Sequence, residues 1–122
     1  MMWRIRREQM RIMQRAARVA FAEKVVAYLR KNAAEATEPK TDEDLLEFVQ
    51  ECIDAAASHG VTCEWDVCRY AQHRCVLGDD FANSDWAAPI FSNPELDGSE
   101  KMDRVEFLAL YVVGTDGKKQ AP

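Results

Sequence analysis

Cys52, Cys63, Cys68 and Cys75, together with His59 and His73, are the residues best equipped for chemistry, because thiolates and neutral imidazoles ligate metals and act as nucleophile and base. Their spacing argues against both uses. The cysteines lie eleven, five and seven residues apart without a Cys-x-x-Cys, whereas structural zinc ligands come at gaps of about two to four. Cys68 and Cys75 stand two helical turns apart, which separates their thiols by about 10 Å, too far for one metal ion or an unstrained disulfide. His59 precedes a helix stop at Gly60, and His73 is expected on a more exposed face. A Cys–His nucleophile needs a neighbouring base and a thiolate-stabilising environment, and this spacing supplies neither. Asp79, Asp80, Asp85 and Asp97 lack the central glycine and closing glutamate of a calcium loop, and no phosphate-cradling Gly-x-x-x-x-Gly-Lys or Ser-His-Asp signature is present. The expectation is therefore buried free thiols acting as small hydrophobes, solvated loop carboxylates, no metal, no cofactor and no enzymatic site.

The elements that would position these residues read as helices throughout. From Arg4 to about Lys31 there is neither Gly nor Pro, and Ala, Arg, Met, Gln, Glu and Leu dominate, which predicts one long helix over residues 1–31. Asn32 to Lys40, with Pro39, suits a connector. A second helix starts at Asp42, capped by Thr41 or Asp42, and carries Leu45, Leu46, Val49, Cys52, Ile53 and Ala56 as one apolar stripe up to the stop at Gly60. A third, capped by Thr62 and ended by Gly78, is expected to bury its Trp65, Cys68, Ala71, Gln72 and Cys75 side. Asp79 to Gly98 is broken by Pro89 and Pro94 and holds short turns at best, although Phe81, Trp86, Ile90 and Phe91 must be covered. Ser99 caps a last helix with Met102, Val105, Leu108, Ala109 and Val112 inward, Gly114 ends it, and 114–122 is a flexible tail. The fold class is all-α: a small helical bundle of one domain with a body over 42–113 and a core including Leu45, Val49, Ile53, Trp65, Cys68, Cys75, Val105 and Leu108.

The first helix changes face along its length. Met2, Ile5, Ile12, Met13, Ala16, Ala17 and Ala20 share one side, with Arg4, Arg7, Arg11, Arg15 and Arg18 opposite. Beyond it Phe21, Val25, Tyr28 and Leu29 fall near the former arginine side. A straight helix cannot lay both halves on one flat surface. Either it wraps its own domain, or residues 21–31 dock while residues 2–20 hold a partner. In the second case Ile5, Ile12, Met13, Ala16 and Ala20 supply the contact, and Arg7, Arg11 and Arg15 steer it toward another protein or a second copy of the chain.

Charge follows the same division. The net −5 conceals +7 over residues 1–31 and −12 over residues 32–122. An acidic body of that size opposes phosphate binding, so no nucleic acid is expected. The longest uncharged stretches, such as Ala55–Cys63 and Phe107–Thr115, reach nine residues, half of what a membrane span requires. The opening Met-Met-Trp-Arg-Ile-Arg-Arg-Glu lacks the apolar core of a secretory signal, which predicts a reducing cytoplasm. Trp3 beside a basic face suits an interfacial helix, but alternating alanines and methionines supply limited insertion energy.

The runs His59-Gly-Val-Thr-Cys-Glu-Trp-Asp-Val-Cys-Arg-Tyr, Val76-Leu-Gly-Asp-Asp-Phe, Asp85-Trp-Ala-Ala-Pro-Ile-Phe and Asn93-Pro-Glu-Leu-Asp-Gly-Ser-Glu-Lys-Met, with the opening Trp3-Arg-Ile-Arg-Arg-Glu-Gln-Met, resemble small bacterial proteins encoded beside type VI secretion effectors. The resemblance extends from Trp3 to about Leu110, and its motifs are structural punctuation. It implies an accessory role, as chaperone, co-chaperone or adaptor for an effector, with the effector or a secretion-spike component as partner and an immunity protein as the alternative. It carries over no catalytic residue.

Overall fold

The computed structural model describes the backbone from Arg7 to Gln120 and the side chains from Arg15 to Tyr111. Six α-helices follow in order: α1 (Arg7–Asn32), α2 (Ala34–Thr37), α3 (Asp42–Ser58), α4 (Glu64–Leu77), α5 (Ala88–Phe91) and α6 (Gly98–Gln120), with one 3-10 turn at Phe81–Asn83. No strand occurs among the described residues. The all-α reading holds, and the connector adds only the single turn of α2.

Local chemistry explains the boundaries. Thr41 accepts the Asp44 N–H at 3.1 Å, and Asp42, Glu43 and Asp44 crowd the positive end of α3. At the other end the Val61 N–H reaches the Ala56 carbonyl and the Gly60 N–H that of Ala57, while Gly60 takes φ +80°. That pairing is a Schellman stop, and the left-handed backbone it requires favours glycine. Gly78 ends α4 as expected.

Three expected boundaries are corrected. α4 begins at Glu64 with Cys63 at its cap position and no side-chain cap bond, so Thr62 plays no capping part; Glu64 and Asp66 supply negative charge to the first turn instead. α6 is capped by Asp97, which accepts the Glu100 N–H at 2.8 Å while Glu100 accepts the Asp97 N–H at 3.0 Å. This reciprocal box displaces Ser99 from the expected cap and frees its hydroxyl for other work. α6 also continues through Gly114 to Gln120, so the expected tail over 114–122 starts as helix. A glycine kept in helical conformation costs only about 1 kcal/mol, and both Gly114 and Gly117 stay within α6.

α1 and α3 run antiparallel in register. Arg30 pairs with Asp42 at 2.7 Å at one end, and Arg18 pairs with Asp54 at 3.0 Å at the other, twelve residues along each helix. The same register sets Ser58, the last residue of α3, level with Gln14, so the earlier turns of α1 extend past their antiparallel neighbour. α4 lies centrally and takes α1, α3 and α6 against its sides. The core is built from Val25 and Leu29 of α1, Leu45, Val49 and Cys52 of α3, Val67 and Tyr70 of α4, and Met102 and Val105 of α6. Phe81 and Phe91 of the punctuated segment close it, with the Tyr70 ring tilted against Phe81 at 5.2 Å.

Of the expected core, Leu45, Val49 and Val105 are buried and Ile53, Cys68, Cys75 and Leu108 are packed half-buried against it. Trp65 is the correction, at 57% exposed. Its ring meets the Tyr28 edge at 5.8 Å and lies 6.0 Å from the Arg69 guanidinium. α4 buries Asp66, Val67, Arg69, Tyr70 and Ala71, because a paired Asp and Arg enter the interior where apolar periodicity places none. Trp65→Ala should consequently cost about 1 kcal/mol, the value of an aromatic edge contact. A melting-temperature loss typical of a buried tryptophan, several-fold larger, would show that the ring is covered.

Candidate interaction surface

α1 is amphipathic in two senses at once. Ala22, Val25, Val26 and Leu29 are buried on the body, and Arg18, one turn before Ala22, keeps to the same side: it donates to the Gln50 carbonyl at 3.2 Å and pairs with Asp54. Ala16, Ala17 and Ala20 are exposed, and Val19 is 46% exposed. Arg18 thus continues the docking side, and the small apolar residues face outward. Of the eight expected partner-binding residues, Arg15, Ala16 and Ala20 are described and all three are exposed. Ile5 and the side chains of Arg7, Arg11, Ile12 and Met13 lie outside the described residues.

α6 contributes a second outward surface. Its inner side buries Met102, Val105 and Ala109, while Phe107, Leu110 and Tyr111 are 62%, 72% and 64% exposed. The Phe107 and Tyr111 rings meet at a tilt one turn apart, 5.7 Å between centroids. An apolar groove of about 340 Å³ beside them is lined by Ile90, Asp103, Arg104, Phe107 and Leu108. Sequence periodicity missed this face because Met102, Val105, Leu108 and Ala109 already account for an inner stripe. The signal was present in the uncharged run Phe107–Thr115, which leaves the helix no polar side.

A buried ion pair links α4 to α6. Arg69 donates to Asp66 at 2.6 Å and to Asp103 at 2.9 Å, with Glu106 at 3.5 Å, and the Ser99 hydroxyl donates to the second Asp66 oxygen at 2.5 Å. Asp66 is 3% exposed and Arg69 5%. Burial alone would push the Asp66 carboxyl up, but the Ser99 and Arg69 hydrogen bonds outweigh it and hold the group below the usual carboxylate range. The cluster joins the starts of α4 and α6, and its Asp103 also lines the apolar groove beside Phe107.

The cysteines and histidines form no shared site. All four cysteines are free, and burial pushes the Cys52 thiol up to about 12 against the opposing pull of Arg74, with Cys68 and Cys75 also raised by burial. Those three thiols are protonated at neutral pH and pack as small apolar groups. Among the described residues no three His, Cys, Asp or Glu side chains converge to hold a metal. A groove of about 670 Å³ between α1 and α3 includes Arg30, whose guanidinium is engaged by Asp42 and the carbonyls of Thr37 and Lys40.

The histidines predict a pH dependence. His59 lies 4.6 Å from the Phe91 ring, and burial, aided by the Lys101 charge, lowers its pKa; burial likewise lowers that of His73, 6.3 Å from Phe81, against the attraction of Glu106. A folded-state pKa below the unfolded value of about 6.5 means that the unfolded chain binds more protons, so stability is full above that pH and falls as pH drops through and below it. The melting temperature should decline between about pH 7 and 5, and His59→Gln with His73→Gln should flatten the decline. A flat profile in the unsubstituted chain would contradict this.

No helix among the described residues is long and apolar enough to cross a membrane. No family model, curated protein or solved structure matches the chain.

Proposed function

We propose that the protein is a non-enzymatic protein-binding accessory factor whose binding element is the outward stripe of α1. The carrying observation is the division of one continuous helix: Ala22, Val25 and Leu29 are buried on the body while Ala16 and Ala20 face solvent. In the sequence that stripe continues through Met13 and Ile12 to Ile5, the i, i+3, i+4, i+7 spacing by which amphipathic helices enter apolar grooves. Arg7, Arg11 and Arg15 accelerate and orient the encounter with an acidic partner surface. The resemblance carried by the His59–Tyr70 and Asn93–Met102 runs supports a type VI secretion effector as that partner, held as by a chaperone or adaptor in the cytoplasm. Co-purification from the native host tests this. The unsubstituted chain should bring down one stoichiometric protein whose delivery, but not whose toxicity, depends on the factor. Loss of toxicity on binding would make the chain an immunity protein, and absence of any stoichiometric partner would contradict the proposal.

A further inference from the structure

The last helix is apolar on both sides over Phe107 to Tyr111. Val105 and Ala109 fill the core, Phe107, Leu110 and Tyr111 face outward, and no charged residue interrupts Phe107 to Val113. A helix that is apolar all round is ordinarily covered all round. The helix that carries the exposed aromatic pair also carries Glu100, Asp103, Glu106 and Arg104, all exposed; Asp103 and Glu106 are reached from beneath by Arg69, whose charge is already matched by buried Asp66, so the face keeps a net negative charge among the described residues. Its complement is therefore a helix with a small-residue apolar stripe and positive flanks. The exposed half of α1 has that chemistry: Ala16 and Ala20 allow close approach to bulky rings, Val19 adds apolar area, Arg15 stands at the edge, and residues 1–31 carry +7.

The two surfaces do not meet within one molecule. α1 packs on α3 and α4 and turns its stripe away from both, and α6 packs on α4 and turns Phe107, Leu110 and Tyr111 away from it. Ala16, Ala20, Phe107, Leu110 and Tyr111 all stay exposed in the single chain, so neither surface covers the other. Between two copies they can, and each copy offers one stripe and one aromatic face. We propose that the outer face of α6 is the seat for the α1 stripe of a second copy, giving a two-fold dimer with two identical α1–α6 contacts, in which the partner-binding stripe is masked until a client protein displaces it. Such reciprocity closes the assembly at two chains. The inference rests on the reading of the α1 stripe as an interaction surface, and it adds that self-association and client binding exclude each other.

Sedimentation equilibrium of the full chain tests it. The unsubstituted protein should have the mass of a dimer, weakening as salt screens the charge pairing. Phe107→Ser with Tyr111→Ser should halve that mass, and so should Ala16→Asp with Ala20→Asp. Because these positions are exposed, both variants should melt within a few degrees of each other. Mixing the two variants should restore a heterodimer, since the intact α6 of one can seat the intact α1 of the other. A monomeric unsubstituted chain, a dimer that survives the α6 substitutions, or a dimer that survives the α1 substitutions would each overturn the proposal, the last pointing to α6 against α6. The α6 variant should still bind a client, and more tightly than the dimer does. If the α1 variant loses client binding while the dimer persists, the functional reading stands and this inference falls.

Discussion

Arg69→Ala is expected to destabilise the fold by about 3–5 kcal/mol, the cost of leaving one member of a buried ion pair without its partner. The guanidinium donates to Asp66 at 2.6 Å beside the Ser99 hydroxyl at 2.5 Å, and with Arg69 gone the buried carboxylate would keep neutral donors but lose its compensating charge. The Asp103 and Glu106 links add little by comparison, because those carboxylates are largely exposed and screened. A second substitution sharpens the test: Asp66→Asn in the Arg69→Ala background removes the uncompensated charge and should recover part of the loss. The pH signature has a definite sign. In the unsubstituted chain Asp66 titrates low, so its contribution is complete above about pH 4 and is lost as pH falls through its folded pKa. In the variant, burial without the arginine raises that pKa, and the penalty vanishes once the group is protonated. The gap between the two proteins should therefore be widest near neutral pH and narrow in acid. Denaturant titration at both extremes checks this, and a gap independent of pH would place the cost in lost packing.

Leu29→Ala should cost about 2–5 kcal/mol, the range for deleting a fully buried leucine side chain. Against a total stability of about 5–15 kcal/mol for a domain of this kind, that is enough to populate the unfolded chain appreciably. Leu29 anchors the docked half of α1 beside Val25 and Val26. The same helix therefore holds positions of opposite consequence within a few turns: Leu29 carries the fold, and Ala16 and Ala20 do not. Urea unfolding midpoints compared across the three positions measure the contrast, and equal costs would mean that α1 is buried along both sides.

Much of the bundle was legible in the sequence because caps and stops have local causes. Thr41, Gly60 and Gly78 act where residue type alone places them, and the α3 stripe of Leu45, Val49, Cys52 and Ala56 is buried as its spacing requires. The change of face in α1 was legible for the same reason: a period of 3.6 residues puts Arg18 and Ala22 on one side and Ala16 and Ala20 on another. α4 was misjudged because its interior charges satisfy one another across helices. Asp66 and Arg69 look like surface residues until Ser99 and Asp103 are brought alongside from thirty-three and thirty-four positions away. Trp65 lost its expected place in the core to that pair. The α6 surface was missed through a different cause, since an inner stripe was sufficient to explain the helix and the extra aromatics raised no local conflict.

The outward stripe is the central claim, and it predicts that the fold ignores changes made there. The melting temperature of the full chain carrying Ile12→Asp and Met13→Asp, taken at a concentration low enough for monomers, is the most direct measurement. Carboxylates on an uncovered surface should leave it within a degree or two of the similarly diluted unsubstituted chain, because surface substitutions typically change stability by less than about 0.5 kcal/mol. Two carboxylates forced into a core would cost several kcal/mol, with each kcal/mol worth about 3–5 °C in a chain of this length. A loss of ten degrees or more would therefore place the stripe inside the protein's own core and contradict its assignment as a surface for another chain.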